Sequence, residues 1–147
     1  MTNIIKLIEM TAALPGFSIT YTISQSNIKE RLLAELTAAR YDVQTPDELS
    51  SLFSKNEKRE FYQVLESLTT NGELIMLSPQ IYWLKSVYDG AVEIIFAHFE
   101  KNEELTLALC RDMLGTSRKY ALTFLEHLDG KQITKMHGNA RQLIKNS

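Results

Sequence analysis

Between Ser26 and Arg40 the apolar residues Ile28, Leu32, Leu33 and Leu36 recur at three- and four-residue spacing, the pattern of a helix with one buried face. Thr45-Pro46-Asp47-Glu48 opens a second, shorter helix: a capping hydroxyl, proline at the first helical position, then acids in the first turn. That helix carries Leu49, Leu52 and Phe53. Lys58–Thr70 predicts a third, with Phe61, Val64, Leu65 and Leu68 on one face, broken by Asn71-Gly72. Leu74–Leu77 and Ile81–Leu84 then flank Ser78-Pro79-Gln80 as a two-stranded hairpin. Three helices and a hairpin is the winged-helix order.

The order is repeated at once. Val87–Phe99 reads as a helix, with Val87, Ala91, Ile94, Ile95 and His98 on or beside its apolar stripe. Leu105-Thr106 opens a short helix to Leu114, stopped by Gly115. Ser117–Leu128 is the next helix, closed by Asp129-Gly130. Ile133–Met136 and Arg141–Ile144 flank His137-Gly138-Asn139-Ala140 as a second hairpin. Leu65-Glu66-Ser67-Leu68 aligns with Leu125-Glu126-His127-Leu128 at an offset of 60, and Leu74-Ile75-Met76 with Ile133-Thr134-Lys135 at 59. A fixed period of this size marks a repeated supersecondary unit.

The expected fold is therefore mainly α with small β-hairpins: two tandem winged-helix domains, residues 26–84 and 85–147. Residues 1–25 are an N-terminal extension or the remnant of a preceding domain. Within them Met1–Ala13 suggests a short amphipathic helix and Leu14-Pro15-Gly16 a turn. Ile19, Tyr21 and Ile23, alternating with polar residues, suggest a strand.

Composition adds limits. The 147 residues are 44% hydrophobic and 23% charged, ordinary for a globular protein. No apolar run approaches the roughly 20 residues that span a bilayer. The acid Glu9 and the lack of a basic lead-in argue against a signal peptide. The single Cys110 excludes an internal disulfide and sits in an apolar run, as a core thiol would. The expected location is the cytoplasm.

Charge is spread unevenly around the net −2. From Arg111 onward seven cations (Arg111, Arg118, Lys119, Lys131, Lys135, Arg141, Lys145) face three acids (Asp112, Glu126, Asp129), a balance of +4. Residues 1–110 carry nine basic and fifteen acidic residues, or −6. A basic end of this kind points to a polyanion. On a helical wheel for Ser117–Leu128, Ala121, Phe124, Leu125 and Leu128 face the core. Lys119, Thr123 and Glu126 lie opposite, with His127 beside them and Arg118 at the margin. In a helix-turn-helix the second helix is presented to nucleic acid. Thr116 or Ser117 caps it, and its first N–H groups favour a phosphate oxygen. Arg118 and Lys119 work against the helix dipole there, a poor choice for stability and a sensible one for holding phosphate. Lys135, His137 and Arg141 add charge from the second hairpin, whose tip is Gly138-Asn139. The first copy has a neutral hairpin and an acid-rich third helix, so it reads as a spacer or packing partner. Tyr120 falls between the two faces and is assigned to the core.

The run Leu114-Gly115-Thr116-Ser117-Arg118-Lys119-Tyr120-Ala121, followed by Leu125-Glu126, Asp129, Thr134, Gly138-Asn139 and Arg141, resembles the last winged-helix domain of the bacterial selenocysteine-specific translation elongation factor. The preceding repeat, residues 26–84, including Pro46–Leu49 and Asn71-Gly72-Glu73-Leu74, resembles that family's penultimate winged helix more loosely, so the resemblance covers roughly Ser26–Ile144 and is strong after Leu105. The resemblance implies a domain that grips a messenger-RNA hairpin, the selenocysteine insertion element, and so brings selenocysteyl-tRNA to a UGA codon. By position it puts Ser117, Arg118 and Lys119 at the RNA backbone, and Lys135, Gly138, Asn139 and Arg141 on the wing beside the loop. Thr123 and His137 complete the expected RNA-binding set. Met136, His137 and Asn139 depart from the family's usual arginine, aliphatic residue and aspartate, which bears on base contacts rather than fold. The ribosome and selenocysteyl-tRNA would be engaged through the rest of such a factor, and the chain itself would be a monomer without membrane contact.

No Gly-x-x-x-x-Gly-Lys-Ser/Thr phosphate loop is present, so the GTP-hydrolysing part of that family is not expected here. His98, His127 and His137 have no partners at metal-ligand spacing, and no catalytic triad or carboxylate pair stands out. Neither an enzyme nor a cofactor is expected. Two other classes remain open from the residues alone: a winged-helix regulator bound to duplex DNA, and a protein–protein module working through the acidic portion.

Overall fold

The computed structural model describes residues 21–144. Helix α1 spans Ile23–Ala39 and buries Ile28, Leu32 and Leu36. It starts earlier than its apolar stripe because Thr22 and Gln25 form a capping box, each side chain bonding the other's backbone N–H. That box overrides the alternation read as a strand: Ile23 is the first helical residue and is 83% exposed. The expected boundary at residue 26 thus falls inside α1. Ile19 and the Met1–Ala13 segment lie outside the described residues. Helix α2 (Pro46–Ser50) has the same box from Thr45 and Glu48. After a 3-10 turn at Lys55–Glu57, α3 (Lys58–Thr70) buries Phe61, Val64, Leu65 and Leu68, the face its spacing predicts. Strands β1 (Leu74–Ser78) and β2 (Ile81–Leu84) form the first antiparallel hairpin.

Helix α4 (Lys85–Phe99) follows directly. Thr106 caps α5 (Leu107–Leu114), and Gly115 ends it in the left-handed conformation at φ 72°. Leu105 is not part of that helix. It pairs with Arg141 through two backbone hydrogen bonds of 2.8 and 2.9 Å, and so adds an edge to the second hairpin, β3 (Thr134–His137) with β4 (Ala140–Leu143). Helix α6 runs Arg118–Gly130, through the Asp129-Gly130 pair expected to close it. The left-handed residue comes two positions later, at Gln132 (φ 62°), where the first unit has Gly72 (φ 84°). Glu73 N–H bonds Leu68 O, and Ile133 N–H bonds Leu128 O, both at 2.9 Å. The offset is therefore 60 into the hairpins as well, correcting the 59 read from residue types. The architecture is mainly helical with two small hairpins, as expected.

The two units share one core. Trp83, on the hairpin that sequence reads only as neutral, is fully buried. Its ring lies 5.1 Å from Tyr41 of the first unit and 5.1 Å from Phe124 of α6. Its indole N–H donates to Tyr41 O at 3.0 Å, which satisfies a polar group that burial would otherwise penalise. Two further bonds fasten the joint: Tyr120 Oη donates to Val43 O at 2.7 Å, and the Thr116 hydroxyl donates to the Asp42 carboxylate.

Candidate nucleic-acid interface

The start of α6 differs from the other capped helices in what satisfies its N–H groups. Thr22, Thr45 and Thr106 each accept from the N–H three residues on. Ser117 has N-cap backbone geometry (φ −91°, ψ 166°) but makes no side-chain cap bond. Thr116, the alternative cap, is turned to Asp42. The first-turn N–H groups of α6 and the Ser117 hydroxyl are therefore open to an external acceptor. Ser117, Arg118 and Lys119 are all exposed. Arg118 and Lys119 have no ion-pair partner among the described residues, and the Lys119 ammonium stands 5.3 Å from the centre of the Tyr120 ring. Tyr120 belongs to the joint, as its hydroxyl bond to Val43 requires. Thr123 is half-buried and donates its hydroxyl to Lys119 O at 2.9 Å, leaving only its lone pairs for another group.

The second hairpin turns tightly at Gly138-Asn139, with His137 opposite Ala140. Gly138 takes φ 67°, the left-handed first position that a two-residue turn of this hand requires. His137, Gly138 and Asn139 form an exposed tip. Arg141 departs from expectation. It is 7% exposed, and its guanidinium forks onto Asp129 with Nε and Nη2 contacts of 3.1 and 2.9 Å to Oδ2. Thr134 donates to the other oxygen of the same carboxylate at 2.6 Å. Arg141 is thus the brace that ties the wing to α6, and its charge is spent on Asp129. Alternation along the strands places Lys135 and Gln142 on the opposite face from Thr134 and Arg141. Lys135 lines an open hollow of about 330 Å³ with Phe99, Asn102 and Glu103, away from α6. Of the expected set, the structure brings Ser117, Arg118 and Lys119 together at one helix end and His137, Gly138 and Asn139 together at one tip.

His127, placed beside the polar face on the wheel, is packed edge-on against Tyr88 of α4, whose hydroxyl lies 3.1 Å from Nε2. Burial, and secondarily Lys131, lowers its pKa. Burial pushes the Cys110 thiol up to about 12, as a core thiol requires. His98 bonds Glu104 O, and no cluster of metal-ligating side chains occurs among the described residues. No helix among them is long and apolar enough to cross a membrane. Sequence reasoning missed Asp129 as the partner of Arg141, and Asp42 and Val43 as partners of the α6 start. An acid twelve residues from an arginine carries no signal until the hairpin is folded.

Comparison with known proteins agrees with the fold. Residues 97–143 match the family described as elongation factor SelB, winged helix. The chain is 29% identical over 133 residues to the selenocysteine-specific elongation factor of Desulfomicrobium baculatum, covering 90% of the chain but only 21% of that relative. It thus spans about a fifth of the relative's length. Its fold resembles the mRNA-binding domain of elongation factor SelB from E. coli, solved in complex with SECIS RNA, with a TM-score of 0.67 at 19% identity over 85% of this chain and 100% of that one. It also resembles part of a bacterial selenocysteine-specific elongation factor, EF-Sec, with a TM-score of 0.64 at 16% identity over 90% of this chain and 21% of that one. Residues 97–143 are thus similar to a winged helix of elongation factor SelB, and the chain as a whole to about a fifth of a selenocysteine-specific elongation factor.

Proposed function

We propose that this chain is the messenger-RNA-gripping end of a selenocysteine-specific elongation factor, and that it binds a hairpin of the selenocysteine insertion type. The observation that carries the reading is the start of α6: open N–H groups, the Ser117 hydroxyl, and the cations Arg118 and Lys119, without ion-pair partners among the described residues, share one exposed first turn. Backbone phosphate is the ligand that such a site suits, through charge-assisted hydrogen bonds and the helix dipole together. The His137–Asn139 tip, held by the Arg141–Asp129 brace, would meet unstacked loop bases, since A-form stems hide their base edges. Arg141 acts here as a positioning residue, and Lys135 serves RNA only where the strand wraps to the far face of the wing. The ribosome and selenocysteyl-tRNA would be engaged through the remainder of the factor, in the cytoplasm.

Equilibrium binding tests this reading. A selenocysteine-insertion hairpin, a scrambled RNA of equal length and a DNA duplex are titrated with the chain at several salt concentrations. The hairpin should bind in the nanomolar range, well ahead of both others, and its affinity should fall steeply with salt. Arg118→Ala should weaken binding and reduce the log–log salt slope by about 0.7–0.9. Equal affinity for hairpin and scrambled RNA refutes hairpin recognition, and preference for the duplex supports a DNA-binding regulator instead.

A further inference from the structure

The first unit meets α6 at an elbow, residues 40–43, whose first residue closes α1 through its backbone N–H to Leu36 O at 2.9 Å, while its guanidinium makes no hydrogen bond or ion pair among the described residues. Arg40 adopts φ 59° and ψ −100°, a region that residues with a Cβ rarely occupy. The three residues after it are each fastened. Tyr41 is 4% exposed against Trp83, which also donates to its carbonyl. The Asp42 carboxylate takes the Thr116 hydroxyl, and Val43 O takes that of Tyr120. These contacts over-determine the elbow and hold the strained residue in place. Arg40 itself is exposed. Its guanidinium stands 5.0 Å from the centre of the Tyr41 ring, and no carboxylate pairs with it among the described residues. Glycine would take this backbone without strain. A long cation stands where the conformation disfavours any side chain.

Position supplies the reason. Asp42 touches Thr116, the residue before Ser117, so Arg40 lies within about 20 Å of the α6 start along these links. A few nucleotides span that distance. We propose that Arg40 is a third cationic contact for RNA, carried by the first unit and adjoining Ser117, Arg118 and Lys119 across the joint. The inference rests on the RNA reading above and makes the first unit a participant instead of a spacer. It also places a cation at the joint within a stretch that is otherwise net acidic, where bare carboxylates would repel a phosphate chain.

The test uses the full chain with the same hairpin. Arg40→Gly removes the charge and the strain together, so it should weaken binding about five- to tenfold and flatten the salt slope by about 0.7–0.9, with Tm unchanged or raised. Arg40→Lys should bind within about twofold of the parent chain, as a point charge retained at the site would. A structural role cannot give this opposition of stability and affinity. Parent-like binding by Arg40→Gly, alongside a loss in Arg118→Ala, overturns the proposal and leaves the RNA reading intact. Parent-like binding by both variants overturns the RNA reading itself. A lowered Tm in Arg40→Gly, with Arg40→Lys equally weak in binding, assigns Arg40 to the fold and also overturns the proposal.

Discussion

Replacing Arg141 by alanine separates a brace from a surface cation. The side chain is 8% exposed and its partner Asp129 25% exposed, with contacts of 3.3, 3.1 and 2.9 Å between them. Breaking a fully buried pair costs about 3–5 kcal/mol, because the remaining charge is stranded. Asp129 keeps the Thr134 hydroxyl at 2.6 Å and some water, so the expected cost falls to about 2–4 kcal/mol. For a chain of 147 residues that corresponds to a Tm lower by about 5–12 °C. Calorimetry on Arg141→Ala, Asp129→Ala and the double variant gives the coupling directly. The double variant should be less destabilised than the sum of the singles by about 1.5–3 kcal/mol. Arg141→Ala should also leave the salt slope of hairpin binding unchanged, measured well below its Tm, whereas Arg118→Ala flattens the slope and barely moves Tm. A Tm within about 2 °C of the parent, no coupling and a flattened slope would refute the brace and restore Arg141 as a phosphate contact.

Three further outcomes follow from the same geometry. Gln132→Gly should raise stability by up to about 1 kcal/mol in denaturant titration, because Gln132 sits at φ 62° where the first unit has glycine; a loss of stability would contradict it. Burial holds the folded-state pKa of His127 below its unfolded value, so its contribution is fully present above the unfolded pKa near 6.5 and is lost as pH falls through the folded one. The stability–pH curve of His127→Gln should therefore be flatter below neutrality than the parent's, and identical slopes would argue against a buried neutral imidazole. Cys110, fully buried with its pKa pushed up to about 12, should react with a thiol reagent only on unfolding; labelling within minutes in buffer would place it at the surface.

Much of this fold was legible because its periodicities are strong and local. The buried face of α3 is the one its apolar spacing specifies, and the Gly115 stop and the capped start at Thr45 are signalled by single residues. The duplication was visible for the same reason, since Leu65 and Leu125 occupy equivalent buried places. What escaped depends on tertiary partners. Four-residue strands fix which residues share a face but not which face meets α6, so charge alone places both Lys135 and Arg141 beside the recognition helix, where only Arg141 lies, and there with its charge taken by Asp129. Trp83 looked like a neutral hairpin residue until Tyr41 and Phe124 were brought to either side of it. Helix α6 ends at Gly130, two residues beyond the expected Leu128, because a helix tolerates glycine and the left-handed turn is taken by Gln132 instead. The start of α6 was read correctly as a place of exposed charge, while its clasp to the first unit through Asp42 and Val43 was invisible.

The most direct test of the account is amide chemical-shift mapping of the chain during titration with a selenocysteine-insertion hairpin. The account predicts that the largest changes fall on Ser117, Arg118, Lys119 and Tyr120 and on His137, Gly138 and Asn139, with Arg40 at the joint shifted as well and the remaining acidic surface of the first unit unaffected. Changes confined to that acidic surface, or spread evenly with none at the start of α6, would contradict it.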